Sequence, residues 1–231
     1  MGAVPADVDN CAMDYRSALF ALADAVIPPR CAFCGTRTHR SEGSVCTGCH
    51  DDLPWIRFAP ASTASPLACE IAPLAYAFPI DAAIKALKFH RRLFYGPALA
   101  QLLESACGEL PAGIDAVQPV PLHWRRKWRR GFNQALEIAG PVAKHLGVPV
   151  IDHVVRRRAT GPQSGLTAAE RARNLRGAFT VRGAAQHEHV LLVDDVITTG
   201  TTMRQAAKTL LRAGTAKVSG LAVARASAAP P

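Results

Sequence analysis

Residues 189–202 read His-Val-Leu-Leu-Val-Asp-Asp-Val-Ile-Thr-Thr-Gly-Thr-Thr. An apolar run ends in two adjacent carboxylates, a short Thr/Gly loop follows, and residues 203–213 then read as a helix stopped at Gly214. Val190, Leu191, Leu192 and Val193 show no polar alternation, which predicts a strand buried on both faces, as at the centre of a parallel sheet. The rest of the chain alternates in the same sense. Residues 74–78, 115–120, 148–155, 178–181 and 217–224 carry strand patterns, while residues 80–90, 96–107 and 134–146 carry helical ones. Such alternation predicts an α/β fold, a parallel sheet flanked by helices, with its ligand loops at the carboxyl ends of the strands.

A loop that opens a helix presents free backbone N–H groups and the positive end of the helix dipole to an anion. Gly200 permits close backbone approach, and the hydroxyls of Thr198, Thr199, Thr201 and Thr202 add donors. Asp194 and Asp195 suit hydroxyl groups or a divalent cation. Phosphate on the loop and a diol on the acids together describe a ribose 5-phosphate. An Asp-Asp turn after a buried strand, with Thr as a helix cap, is the plainer account of the same residues.

Four of the seven cysteines are Cys31, Cys34, Cys46 and Cys49, two Cys-x-x-Cys pairs separated by eleven residues. Two such pairs complete a tetrahedron around zinc, and four filled positions predict a closed, structural site. His39 and His50 are spare candidate ligands. Cys11 and Cys107 read as small helix-packing residues, and Cys69 fits no pattern. Residues 12–27 carry one apolar helical face, and residues 59–68 read as a linker rich in Pro, Ser and Ala. No apolar run approaches the roughly 18–20 residues that span a bilayer. Residues 1–10 hold two aspartates and no Lys or Arg, unlike a secretion signal. A cytoplasmic location without membrane insertion is the expectation.

The net charge is +9, with cations clustered after the 115–120 strand and within residues 156–176. A basic chain attracts polyanions; a solvated Arg-rich surface explains the same composition. Trp124, Arg125, Arg126, Lys127, Trp128 and Arg129 interleave rings with cations, a pattern that suits single-stranded nucleic acid. A basic loop leading into a helix, its Trp packed inward, is the alternative. Arg130, before Gly131, offers a guanidinium next to flexible backbone, suited to an anion that develops charge. Residues 158–175, containing Thr160, Gln163, Arg171 and Asn174, suit a closing lid or a plain surface loop.

The 189–202 string resembles the phosphoribosyl pyrophosphate (PRPP) signature of type I phosphoribosyltransferases. With it, in order, stand the four cysteines, Leu87-Lys88-Phe89, Pro119-Val120-Pro121, the run Arg130 to Gln134, Gln163-x-x-Leu166 and Arg171-x-x-Asn174. Together they resemble the ComF family of phosphoribosyltransferase-like competence proteins. The resemblance implies PRPP held by Asp194, Asp195 and the loop Thr198, Thr199, Gly200, Thr201 and Thr202. It implies Mg²⁺ accompanying PRPP, catalytic roles for Asp194, Asp195 and Arg130, and a flexible loop holding Thr160, Gln163, Arg171 and Asn174. It also implies the handling of incoming single-stranded DNA beside a helicase-like partner. Two classes stay open: a transferase acting on PRPP, and a non-catalytic nucleotide- and DNA-binding competence factor. The expected organisation is a helix over residues 1–27, a zinc-knuckle segment over 28–58, a phosphoribosyltransferase-like domain over 70–226 and a disordered tail. Two departures from the family pattern stand out. Pro141 is expected to kink or break its helix, and Cys69 alone remains where some relatives carry a second knuckle, so one zinc is expected.

Overall fold

The structure is a computed structural model that describes residues 28–39, 41–56, 65–122, 128, 130–156, 177–183 and 187–226. The apolar run becomes strand β6, His189–Ile197, once the shorter elements before it are counted: β1 (Glu70–Ile71), β2 (Leu74–Ala75), β3 (Ala116–Pro119), β4 (Val154–Arg156) and β5 (Phe179–Val181). Strand β7 is Lys217–Arg225. Parallel neighbours flank β6 on both sides, with Ala116 opposite Val190 in β3 and Val218 opposite Val190 in β7. β1 and β2 extend the sheet beyond β7, also in parallel. This two-sided pairing explains why the run carries no polar alternation.

Helices α2 (Ile80–His90), α3 (Tyr95–Cys107) and α4 (Gln134–Leu146) follow a short α1 (Thr47–Asp51) and share one core cluster with Leu191, Val193, Leu221 and Val223. Helix α5 (Thr201–Arg212) packs on the other face with Val190, Leu192 and Ala222. Full burial of each such Leu or Val contributes about 1.5–3 kcal/mol. Among the described residues no helix is long and apolar enough to cross a membrane.

Several expectations are corrected. The 74–78 strand shrinks to Leu74–Ala75, and the chain then turns into α2, which starts at Ile80. The 148–155 segment does not add a long strand to the main sheet. Val150 makes one parallel bridge to Val117, and the chain then forms an antiparallel hairpin of β4 with β5. The end of the expected linker is pinned: Leu67 is buried and the Ala68 N–H donates to the Val218 carbonyl at 2.8 Å.

Pro141 does not break its helix; α4 runs through it. Pro141 has no N–H for the Glu137 carbonyl. Here α3 comes close: a Cβ at Gly96 would lie 3.0 Å from the Glu137 Cβ and 3.4 Å from its carbonyl oxygen. The missing side chain at residue 96 leaves room for that carbonyl. Strong ends add support, with Asn133 accepting from the Ala135 N–H and Gly147 at φ +69° closing the helix.

Candidate functional site: an acid pair, a phosphate-type loop and a thiol cluster

The turn from β6 into α5 is held by packing. Gly200 caps α5 at φ +68°, in the left-handed region. A Cβ there would lie 2.6 Å from Arg204 Nη1 and 3.1 Å from Glu70 Oε2. Arg204 folds back to donate to the Thr199 carbonyl. Met203 seats against β7 at Gly220, where a Cβ would fall 2.3 Å from its sulfur. Thr199 and Thr201 share a hydroxyl hydrogen bond of 2.8 Å. The helix begins at Thr201 rather than residue 203, so Thr201 and Thr202 sit in its first turn with unsatisfied N–H groups to offer. Asp194, Thr198, Gly200, Thr201 and Thr202 line one notch.

The acids lie within β6, two residues short of its end, so their side chains leave opposite faces of the strand. Asp194 belongs with Val190 and Leu192; Asp195 belongs with Leu191 and Val193. Asp195 is buried at 3% exposure, and Lys88 Nζ of α2 lies 2.8 Å from its Oδ2. That contact is an ion pair outside hydrogen-bond geometry. Burial, and next the charge of Asp195, push the Asp194 carboxyl up to about 8; the Asp195 N–H, which donates to Oδ1 at 2.9 Å, and Lys88 oppose the rise. As a ready-made Mg²⁺ cage the pair does not fit. Burial pushes one carboxyl towards its neutral form and the other faces an ammonium at 2.8 Å, whereas Mg²⁺ takes ionised oxygens in near-octahedral array.

Both acids open into a cleft of about 290 Å³ lined also by Tyr76, Lys88, Pro121, Leu122, Arg130, Gln134, Arg156, Thr198 and Thr202. The cleft therefore joins the carboxyl ends of β6 and β3, the start of α4 and the β4 hairpin. Arg130 donates to Gln134 Oε1 at 2.9 Å and stacks over Phe89 at 5.1 Å. Arg156 stacks on Phe179 at 5.7 Å. Buried Gln118 fixes the hairpin: its Oε1 accepts from the His153 and Val154 N–H groups at 2.8 and 3.0 Å. A neighbouring hollow of about 190 Å³ shares Pro121, Leu122 and Arg156 and adds Asp152 and Arg182.

Sequence reasoning placed Asp194, Asp195, Arg130 and the Thr/Gly loop, and the structure brings Asp194, Asp195, Arg130, Thr198 and Thr202 to this one cleft. It missed Lys88, Gln134 and Arg156. Lys88 lies four residues after buried Ile84, so helical spacing puts it on the inward stripe; that cation on a buried face was the available signal. Thr160, Gln163, Arg171 and Asn174 lie outside the described residues, as do Trp124, Arg125, Arg126, Lys127 and Arg129. Trp128 is described and is 88% exposed, which rules out inward packing of that ring. Phe78, Phe89 and Phe94 are also exposed.

The four cysteines converge. Their Sγ atoms all lie within 4.8 Å of one another, with Cys34 and Cys46 at 3.7 Å. Four thiolates about 2.3 Å from zinc stand about 3.8 Å apart, so the cluster fits a tetrahedral ion. The Cys46 and Cys49 N–H groups donate to Cys31 and Cys46 sulfur at 3.4 and 3.5 Å, which favours thiolates. Thr36 holds the Cys34 thiol down to about 6, while burial and the neighbouring thiols push Cys49 up. Neither His39 nor His50 joins the cluster; His50 stacks against Trp55 at 4.8 Å. The segment docks on α3 through Gln101, which accepts from the Ser44 N–H at 2.7 Å and donates to the Glu42 carbonyl. Cys107 is a buried residue of α3, as expected.

This fold and site define a phosphoribosyltransferase-type domain bearing a zinc ribbon. The phosphoribosyl transferase domain family matches residues 133–229, and the double zinc ribbon family matches residues 22–65. DNA utilization protein YhgH of Escherichia coli K12 is 35% identical over 202 residues, covering 84% of this chain and 82% of that protein. Competence protein F of Haemophilus influenzae is 34% identical over 163 residues, covering 65% and 70%. Among solved structures, glutamine PRPP amidotransferase from B. subtilis is similar at 21% identity and a TM-score of 0.43, over 61% of this chain and 30% of that one. Purine phosphoribosyltransferase from Pyrococcus horikoshii is similar at 17% identity and 0.33, over 62% and 79%. The chain belongs to the ComF family of competence and DNA utilization proteins.

Proposed function

We propose that the cleft binds PRPP or a related ribose 5-phosphate ligand and that the protein serves DNA uptake in natural transformation. One observation carries the ligand reading: a single cleft is lined by Asp194, Asp195, Thr198 and Thr202 on one side and by Arg130 and Arg156 on the other. The 5-phosphate takes the N–H groups and hydroxyls of residues 198–202, each charge-assisted bond contributing about 1.5–3 kcal/mol. The ribose hydroxyls hydrogen-bond to Asp194 and Asp195. A pyrophosphate at C1 meets Arg130 and Arg156. In a transfer reaction the bond from C1 to the pyrophosphate oxygen breaks, its electron pair leaves on pyrophosphate, and an acceptor forms the new bond to C1. Positive character on the sugar ring needs no Ser, Cys or His nucleophile, so catalysis is positioning and charge stabilisation. Mg²⁺ arriving with the ligand would supply charge neutralisation of the pyrophosphate beside Arg130 and Arg156.

A second reading is a non-catalytic nucleotide- and single-strand-binding factor, working beside a helicase-like partner. It is favoured by the exposed rings of Phe89 and Trp128, with Arg130 over Phe89; stacked bases and phosphates suit such a surface. Titration calorimetry with PRPP and magnesium, on wild type and Asp195→Ala, tests the ligand reading; a loss of about tenfold or more in the variant is expected, and equal binding would overturn it. Pyrophosphate release over a panel of bases separates the two readings. Turnover supports the transferase, whereas tight oligothymidylate binding with no turnover replaces it with the second reading.

A further inference from the structure

Asp195 brings its own counter-ion into the cleft. A carboxylate at 3% exposure needs a compensating charge, and Lys88 supplies it from the last turn of α2 at 2.8 Å. The two side chains are 18% and 5% exposed, so solvent screens the pair weakly. Lys88 follows buried Leu87 and lies one turn beyond buried Ile84. Its stem therefore runs along apolar surface while its head arrives at the carboxyl end of the sheet. Both Lys88 and Asp195 line the cleft, beside Asp194 and Thr202.

We propose that Lys88 is the resident cation at the sugar-hydroxyl end of this cleft, so that a ribose 5-phosphate is held there with no divalent metal on protein ligands. The inference rests on the phosphoribosyl reading above and deepens it. An ammonium carries three donors and no acceptor. Next to Asp195 it donates to a hydroxyl oxygen of the sugar while the carboxylate accepts that hydroxyl's proton. A divalent ion bound directly to Asp195 would sit against the ammonium, like charge against like charge. The cleft thus selects sugar phosphates that bring no metal as readily as PRPP, and a divalent ion joins only where pyrophosphate oxygens carry it. Lys88 is a positioning residue for the ligand and for Asp195, distinct from the arginines that face the leaving group.

Calorimetry with ribose 5-phosphate, in chelator and in millimolar magnesium chloride, tests this on wild type, Lys88→Met and Lys88→Arg. Wild type is expected to bind equally in both buffers. Lys88→Met is expected to lose about tenfold or more in chelator and to recover part of it with magnesium, because the bared Asp195 then accepts the ion. Lys88→Arg keeps the charge and is expected to stay near wild type in both buffers. A wild-type affinity that rises about tenfold with magnesium overturns the proposal, as does a Lys88→Met protein that binds like wild type in chelator. Should Lys88→Met fail to fold by circular dichroism, the magnesium response of wild type and Lys88→Arg decides alone. Binding of PRPP but not of ribose 5-phosphate also overturns it and leaves the broader reading standing. Failure of wild type to bind either ligand in either buffer removes the phosphoribosyl reading itself.

Discussion

The thiol cluster and the β6–α5 turn are both loops that gather ligands, and they are built by opposite means. Around the cysteines little apolar surface is buried. Helix α1 has no buried residue, and Cys31, Val45 and Leu53 are the buried hydrophobics among the described residues of 28–56. Around the β6–α5 turn nearly every neighbour is core: Val190 to Val193 and Ile197 on the strand, Met203, Ala206, Ala207 and Leu210 on the helix. One loop takes its shape from an ion that joins four sulfurs, and the other from the packing beneath it. The first is therefore expected to depend on metal, while the second is expected to keep its shape without a ligand.

The largest expected effect is on the thiol cluster. Removing zinc with a strong chelator withdraws on the order of 10 kcal/mol of local stabilisation. Amide exchange should then open residues 31–49 while β6 stays protected. Loss of protection in both together would make them one cooperative unit and end the contrast. Elemental analysis should give about one zinc per chain, since the described residues hold a single four-thiol group.

A smaller effect is expected at Gly220→Val. The new side chain collides with Met203, and overpacking of this kind costs about 1–3 kcal/mol. Because Met203 seats the start of α5, ribose 5-phosphate binding should weaken as well, while zinc content stays unchanged. Unaltered binding at lowered stability would separate the loop's shape from the packing under it.

The last effect concerns pH. A carboxyl raised by burial is protonated in the folded state where the unfolded chain has already lost the proton, so stability falls as pH climbs from the ordinary carboxylate value towards about 8. Asp194→Asn removes that slope, which is at most about 1.4 kcal/mol per pH unit. Thermal melts should show the variant gaining on wild type as pH rises through that window. Parallel pH curves would mean that Asp194 is ionised in the empty protein.

Much of this was legible in the sequence, for local reasons. Residues 80–90 and 134–146 became helices with those limits because a 3.6-residue apolar stripe, and at Asn133 and Gly147 a cap, agree with each other. The central strand and the acid–loop–helix order likewise declare themselves within one run of chain. What stayed hidden depends on distant neighbours. Asp195 meets Lys88 across 107 positions of sequence, a pairing that neither segment announces. Gln118 reads as a polar interruption in a short strand, and its role appears only when residues 153–154 arrive beside it. The room for the Glu137 carbonyl left without a donor by Pro141 is given by Gly96, which belongs to another helix.

Helix α3 is gripped from two sides. Gln101 ties it to the cysteine segment, and the bare backbone at Gly96 lets α4 lie against it. Those positions are five residues apart, about 140° around the helix. The helix therefore stands between the cysteine segment and α4, whose first residue, Gln134, forms part of the cleft wall. The cysteine segment and the wall of the cleft thus rest on opposite sides of one shared beam.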